Sequence, residues 1–215
     1  MSVGAGEAKL RDQVCLWAKR LYDRRLVHGT SGNLSVRLPD GGWLVTPTNS
    51  CLGDLDPDKL SKLDASGRLV AGDAPSKESF LHRCVYDVRS DARAIVHTHS
   101  THSVAVSCID GVDARNVLPP ITAYHVMRVG DLPLVPYYRP GDESLALAVK
   151  ELAVRHAAVL LANHGPVIAG KALDAAVHAL EELEETAKIY LLLGDRRFRP
   201  LTPEQVADLH RHFPS

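Results

Sequence analysis

The 215-residue sequence predicts a layered α/β domain with a mixed sheet. Three observations predict it. A stretch with apolar residues at helical spacing opens the chain, two hairpin-like pairs of short segments follow, and beyond residue 76 short apolar strands alternate irregularly with helical stretches. That irregularity argues against a regular βαβ winding. A hydrophobic fraction of 45% over this length supports a sizeable core. With no internal repeat, low-complexity tract or linker, residues 1–215 read as a single domain.

Leu10, Val14, Leu16, Trp17, Leu21 and Leu26 mark a first helix over 8–27, with His28-Gly29 as its stop. Segments 33–38 and 43–47 alternate and are joined by Pro39-Asp40-Gly41-Gly42, the pattern of a β-hairpin. Segments 62–64 and 68–71, around Ala65-Ser66-Gly67, suggest a shorter one. Ser76 is the expected cap of a helix to about Arg89, with Phe80, Leu81, Cys84, Val85 and Val88 inward. Segment 94–97 is a short apolar strand, and a helix should follow over 100–108. A strand is expected over 132–137 and a helix over 143–155. Strands at 158–161 and 166–169 flank the Asn163-His164-Gly165 turn, and helices over 173–193 and 203–212 end the chain.

Lysine and arginine number 25 against 26 acidic residues, a net charge of −1. Nothing in this balance draws the chain to nucleic acid or an anionic membrane, so an anionic ligand must be met locally. No segment has the length of a membrane span, and the N-terminus lacks the basic start and apolar run of a secretion signal. Cys15, Cys51, Cys84 and Cys108 have no paired spacing and are expected as reduced thiols of a cytoplasmic protein.

Ile95-Val96-His97-Thr98-His99 carries the sharpest chemistry. Residues two apart on an extended strand point to one side, so both imidazoles can face one ion. Neutral imidazole is a good metal donor near pH 7. His164, at a tight turn after an apolar strand, is a candidate third donor. Three histidines are enough to hold a catalytic metal with a position left open for substrate. His102 falls one helical turn on and is expected at most behind the site. The acidic run Glu181, Glu182, Glu184 and Glu185 reads as the solvated face of a helix.

Three loops have the small, hydroxyl-bearing composition that suits a phosphate: 29–33, 46–50 and 73–78. The third begins a helix, whose free N–H groups favour an anion, and Lys77 adds charge. Glu78 is expected in the first turn of that helix, either as a cap or, near a metal, as a ligand or general acid/base.

Five segments jointly resemble the class II aldolase/adducin family in order and spacing: GTSGNLSVR (29–37), TPTNS (46–50), PSKE (75–78), VHTHS (96–100) and NHGP (163–166). The resemblance covers nearly the whole chain. It implies a three-layer αβα fold around a central mixed, largely antiparallel sheet. It also implies zinc, with manganese as an alternative, held by His97, His99 and His164, with Glu78 as a catalytic residue that can also bind the ion. Gly32, Asn33, Thr48, Asn49, Ser76 and Lys77 fall on the family's phosphate-binding positions. Asn49 stands where glycine is common, and asparagine tolerates a left-handed backbone. Tyr124 matches a tyrosine that aids proton transfer.

Segments 50–57, 121–142, 160–167 and 180–190 resemble the branch of the family that decarboxylates 3-oxo-tetronate 4-phosphates. That implies loss of carbon dioxide through a metal-stabilised enediolate to give dihydroxyacetone phosphate. The alternatives on the same scaffold are an aldolase, an epimerase or a dehydratase of a sugar phosphate, and a non-catalytic adducin-like scaffold. The resemblance further implies a homotetramer with active sites between subunits.

Overall fold

In the computed structural model, which describes residues 3–139 and 141–213, eight strands form one sheet with helices on both faces. In chain order the elements are α1 (Val3–Asp23), β1 (Asn33–Arg37), β2 (Trp43–Val45), a 3-10 turn (Pro57–Lys59), β3 (Ser61–Leu63), β4 (Leu69–Ala71), α2 (Ser79–Val88), β5 (Ala94–His97), α3 (Thr101–Ser107), α4 (Ala123–Arg128), β6 (Leu134–Val135), α5 (Glu143–Ala153), β7 (Ala158–Leu161), β8 (Gly165–Gly170), α6 (Leu173–Leu193) and α7 (Pro203–His212). The sheet order is β4-β3-β2-β1-β5-β8-β7-β6. Every neighbouring pair is antiparallel except β6 and β7, so the sheet is mixed but largely antiparallel.

The period of two along each central strand splits the core between the two faces. Ala94 and Val96 of β5, Ala158 and Leu160 of β7, and Ile168 of β8 pack with Val14, Ala18 and Leu21 of α1 and with Val177, Leu180 and Leu183 of α6. Ile95, Val159, Leu161, Val167 and Ala169 point the other way, against Leu81 and Val85 of α2 and Leu145 and Val149 of α5. Burying each of these larger aliphatic side chains is worth about 1.5–3 kcal/mol. In β1 the apolar positions Leu34 and Val36 join the first face. The polar positions Asn33 and Ser35 are also buried. An alternating strand ordinarily wets its polar face; here α2 covers it.

Four local expectations need correction. Helix α1 ends at Asp23, not at His28-Gly29. The Arg25 N–H donates to Tyr22 O and the Leu26 N–H to Leu21 O, with Arg25 at φ 61. This is a Schellman closure whose left-handed position is filled by arginine instead of the usual glycine, so the local pattern points past it to Gly29. Leu16, expected on the inner face of this helix, is exposed. Helix α2 starts at Ser79, so Ser76 is not its cap; Glu78 occupies that position and makes no capping bond. Helix α4, capped by the Thr122 side chain accepting from the His125 N–H, was not foreseen. A six-residue helix offers too few turns for periodicity to register. Finally, the expected strand over 132–137 shrinks to two residues.

The acidic run of α6 is solvated as expected only at Glu185, which is exposed; the other three glutamates are engaged by the fold. Glu181 pairs with Arg24, and Glu182 accepts from the Thr122 hydroxyl at 3.2 Å. Glu184 is 7% exposed. It accepts from the His102 and Ser103 N–H groups at 2.8 and 2.9 Å, from the Ser103 hydroxyl at 2.7 Å, and meets His102 Nδ1 at 2.8 Å. A carboxylate from a distant helix thus caps the start of α3, the helix that follows the histidine strand. Burial works against its ionisation, but these donors outweigh that and hold its carboxyl below the usual range. Because the folded value is depressed, this contribution is present at neutral pH and fades as pH falls through the folded value. Glu184→Ala, which strands those donors, is expected to cost about 2–3 kcal/mol, lowering Tm by roughly 5–10 °C. Thermal melts at pH 7 and at acidic pH check this, the difference between wild type and variant shrinking in acid.

Candidate active site

Three chain segments meet at one end of the central strands. Pairing of β1 with β5 sets Asn33 opposite His97, and pairing of β5 with β8 sets His97 opposite Val167. The tight β7–β8 connection then delivers His164 beside them. Gly165 makes this possible: at φ 147, a Cβ there would lie 2.2 Å from Thr98 O. His99 lies beyond the last residue of β5, so strand alternation alone does not orient it. The Thr98 N–H reaching Pro166 O and the start of α3 turn it toward the other two. The ring centroids of His97, His99 and His164 lie 4.7–5.1 Å apart.

Glu78 completes the cluster from the start of α2. Its Oε2 lies 3.4 Å from His97 Nε2 and its Oε1 lies 3.1 Å from His164 Nε2. One donor atom from each of these four residues falls within 4.8 Å of all the others, a group able to hold a metal ion. The donor chemistry fits. His97 Nδ1 donates to Pro166 O at 2.8 Å, which leaves its Nε2 as a bare lone pair facing the cluster. That atom and His99 Nε2 are buried without a hydrogen-bond partner, a costly arrangement unless an ion takes both lone pairs. Burial pushes His97 below the usual imidazole range and His99 down to about 4. For Glu78 burial opposes ionisation, but the His164 hydrogen bond, the neighbouring imidazoles and the Asn33 amide outweigh it and hold the carboxyl well below its usual range. Neutral imidazoles beside one carboxylate suit a divalent cation.

The three oxyanion-type loops lie side by side. Thr46 N–H donates to Leu34 O, Thr48 N–H to Ala74 O, and Ser76 N–H to Thr46 O, so the second loop is zipped to the third and to β1, the strand that follows the first. Those N–H groups of Thr48 and Ser76 are therefore spent on the scaffold and not offered to a ligand. Asn49 adopts φ 56, the left-handed conformation its replacement of glycine required. Gly32, at φ 80, packs against His97 O, where a Cβ would approach to 3.0 Å. Lys77 is exposed. Asn33 turns its amide to Glu78 Oε2 at 2.9 Å and its carbonyl to His82.

An open cleft of about 570 Å³ adjoins the cluster, lined by His99 and His164 together with His28, Thr101, Val104, Tyr137, Tyr138 and Asn163. Sequence reasoning gave no role to Tyr137 and Tyr138, which lie just past β6, because an aromatic pair at a strand end carries no signal of what it faces. Tyr124 does not line this cleft; it sits on α4, 59% exposed, near Arg128. His102 is turned to Glu184 and lies outside the cluster.

The chain belongs to the class II aldolase family: the pattern of the Class II Aldolase and Adducin N-terminal domain matches residues 12–191. Among its relatives, the 3-oxo-tetronate 4-phosphate decarboxylase of Escherichia coli strain K12 is 50% identical over 203 residues, covering 94% of this chain and 96% of that protein. The L-fuculose phosphate aldolase of Methanocaldococcus jannaschii is 38% identical over 174 residues, covering 81% of this chain and 91% of that one. The crystal structure of YgbL from Klebsiella pneumoniae is 48% identical and superposes with a TM-score of 0.93, covering 94% of this chain and 98% of that chain.

The close approach at Gly165 yields a test. Gly165→Ala is expected to push the Thr98–His99 segment out of place and destabilise the fold by about 3 kcal/mol. Metal titration of the purified variant should then show weakened binding even though no donor has been removed.

Proposed function

We propose that the chain is a divalent-metal carboxy-lyase that converts a 3-oxo-tetronate 4-phosphate to dihydroxyacetone phosphate and carbon dioxide. The observation that carries this reading is the ionised Glu78 held between His97 and His164 at an open cleft, in a chain half identical to a decarboxylase of that name. His97, His99 and His164 are assigned as the metal ligands, with Glu78 able to join them, and zinc is the proposed ion. Bound there, a divalent ion supplies Lewis-acid stabilisation to the oxyanion formed as carbon dioxide departs.

The substrate is a β-keto acid, so breaking the C1–C2 bond sends its electron pair toward the C3 keto oxygen and gives an enediolate. Glu78, ionised in the free protein, takes the proton of the 2-hydroxyl as this bond breaks and then returns it to C2. One proton from water restores the hydroxyl, which balances the loss of carbon dioxide from a carboxylate. Gly32, Asn33, Thr48, Asn49, Ser76 and Lys77 are assigned to the phosphate, through side chains and backbone groups not spent between loops and, at Asn33, only through what its bonds to Glu78 and His82 leave. Val104, Tyr137 and Tyr138 wall the cleft.

The reading takes residues 1–215 as one domain of a cytoplasmic homotetramer. Among the described residues, no helix is long and apolar enough to cross a membrane. Active sites between subunits would let Tyr124, outside its own chain's cleft, act in proton transfer on a neighbour.

His97→Ala and His164→Ala are expected to lose bound metal and turnover together, read by metal analysis and a coupled assay for dihydroxyacetone phosphate. Full activity without metal would sink the assignment. Glu78→Gln should keep the fold and lose about 10²–10⁴-fold in kcat. Tyr124→Phe should lower kcat with metal content unchanged. Product analysis across substrate stereoisomers discriminates the chemistry: an aldehyde, an epimer or a dehydrated product in place of carbon dioxide overturns the decarboxylase reading.

A further inference from the structure

A line of hydrogen bonds runs from the core to the cluster. Tyr86 and His82 of α2 both reach Ser35 of β1: Tyr86 Oη lies 2.8 Å and His82 Nδ1 2.6 Å from Ser35 Oγ. His82 Nε2 lies 2.5 Å from Asn33 Oδ1, and Asn33 Nδ2 donates to Glu78 Oε2 at 2.9 Å. His82 and Ser35 are fully buried. Helix α2 covers the polar face of β1, where apolar residues would pack at no desolvation cost.

Proton bookkeeping gives the chain one direction. An ionised carboxylate only accepts, so the Asn33 –NH2 must face Glu78 and its carbonyl must face His82. His82 Nε2 therefore carries the hydrogen. A neutral ring then has a bare Nδ1, which takes the Ser35 hydroxyl hydrogen, and Tyr86 donates to Ser35. Burial pushes His82 down to about 3, in keeping with a neutral ring. Each group has one role, and reversing any link would point the Asn33 carbonyl at the carboxylate.

We propose that His82 is a positioning residue for Glu78: through the Nε2 hydrogen it gives to Asn33, it fixes which end of that amide meets the carboxylate. Glu78 would otherwise be steered by the histidine cluster alone, where its two oxygens are drawn to different rings. The Asn33 bond falls on Oε2, the oxygen nearer His97, and fixes how the carboxylate divides itself between His97 and His164. This rests on the assignment of Glu78 to proton transfer.

The test combines NMR of the whole protein with kinetics. Nitrogen-15 spectra of the wild type should show His82 neutral with its hydrogen on Nε2, and the Asn33 side-chain amide protected from exchange. His82→Leu should abolish that protection and lower kcat by about 10- to 100-fold, the loss a small misplacement of a catalytic group produces. Its KM and zinc content should stay within about twofold. His82→Gln, whose amide can still donate to Asn33 and accept from Ser35, should recover kcat to within about threefold. A merely space-filling His82 would instead leave kcat of the folded His82→Leu enzyme intact. A hydrogen on Nδ1, or a folded His82→Leu protein with kcat within twofold of wild type, overturns the proposal. If His82→Leu does not fold, Ser35→Ala carries the kinetic arm, with a smaller loss of kcat expected and an unchanged kcat counting against it. Absence of turnover by the wild type on every stereoisomer overturns the functional reading instead, and the tautomer and amide protection still decide this one.

Discussion

The register of β1 against β5 is the constraint on which the site depends. Setting Asn33 opposite His97 brings the strand that carries the first oxyanion-type loop against the strand that carries the metal-type histidines. A slip of one residue would turn Asn33 and Ser35 to the other face and bring Leu34 and Val36 under α2. The alternation of Ala94, Ile95 and Val96 between two apolar clusters makes that slip costly. Core packing therefore fixes the position of the chemistry to within one residue.

Charge is managed by the same geometry. The cluster combines one carboxylate with three imidazoles in a partly dry environment, where an uncompensated charge is expensive. Depressed values for His97 and His99 keep those rings neutral, and the depressed carboxyl of Glu78 keeps the single negative charge. Such a set has open lone pairs and an unmet charge, and a divalent ion satisfies both. A purely structural zinc site would close with a fourth strong ligand and have little use for a carboxylate shared between two histidines and an asparagine.

Polar groups elsewhere follow one pattern: distant elements complete what local sequence leaves open. Glu184 of α6 caps α3, and His82 of α2 satisfies Asn33 and Ser35 of β1. Both hold segments adjoining the histidines. In isolation, a glutamate in an acidic run and a histidine on a helix carry no such signal.

By itself the sequence determined the helices over 173–193 and 203–212, the strands at 94–97 and 158–161 and both hairpins, because periodicity, caps and turn residues are local. It also pointed to the histidines and Glu78, since residue type and a turn context carry their chemistry. It did not determine the end of α1, where Arg25 takes a left-handed position usually left to glycine, nor α4, too short to show a period. Only the tertiary structure decided that His99 joins the cluster from beyond its strand, that the loop N–H groups of Thr48 and Ser76 are spent on the carbonyls of Ala74 and Thr46, and that Tyr124 lies outside its own cleft. Those are questions of which groups meet across the sheet. They depend on register and crossing loops, which no local pattern encodes.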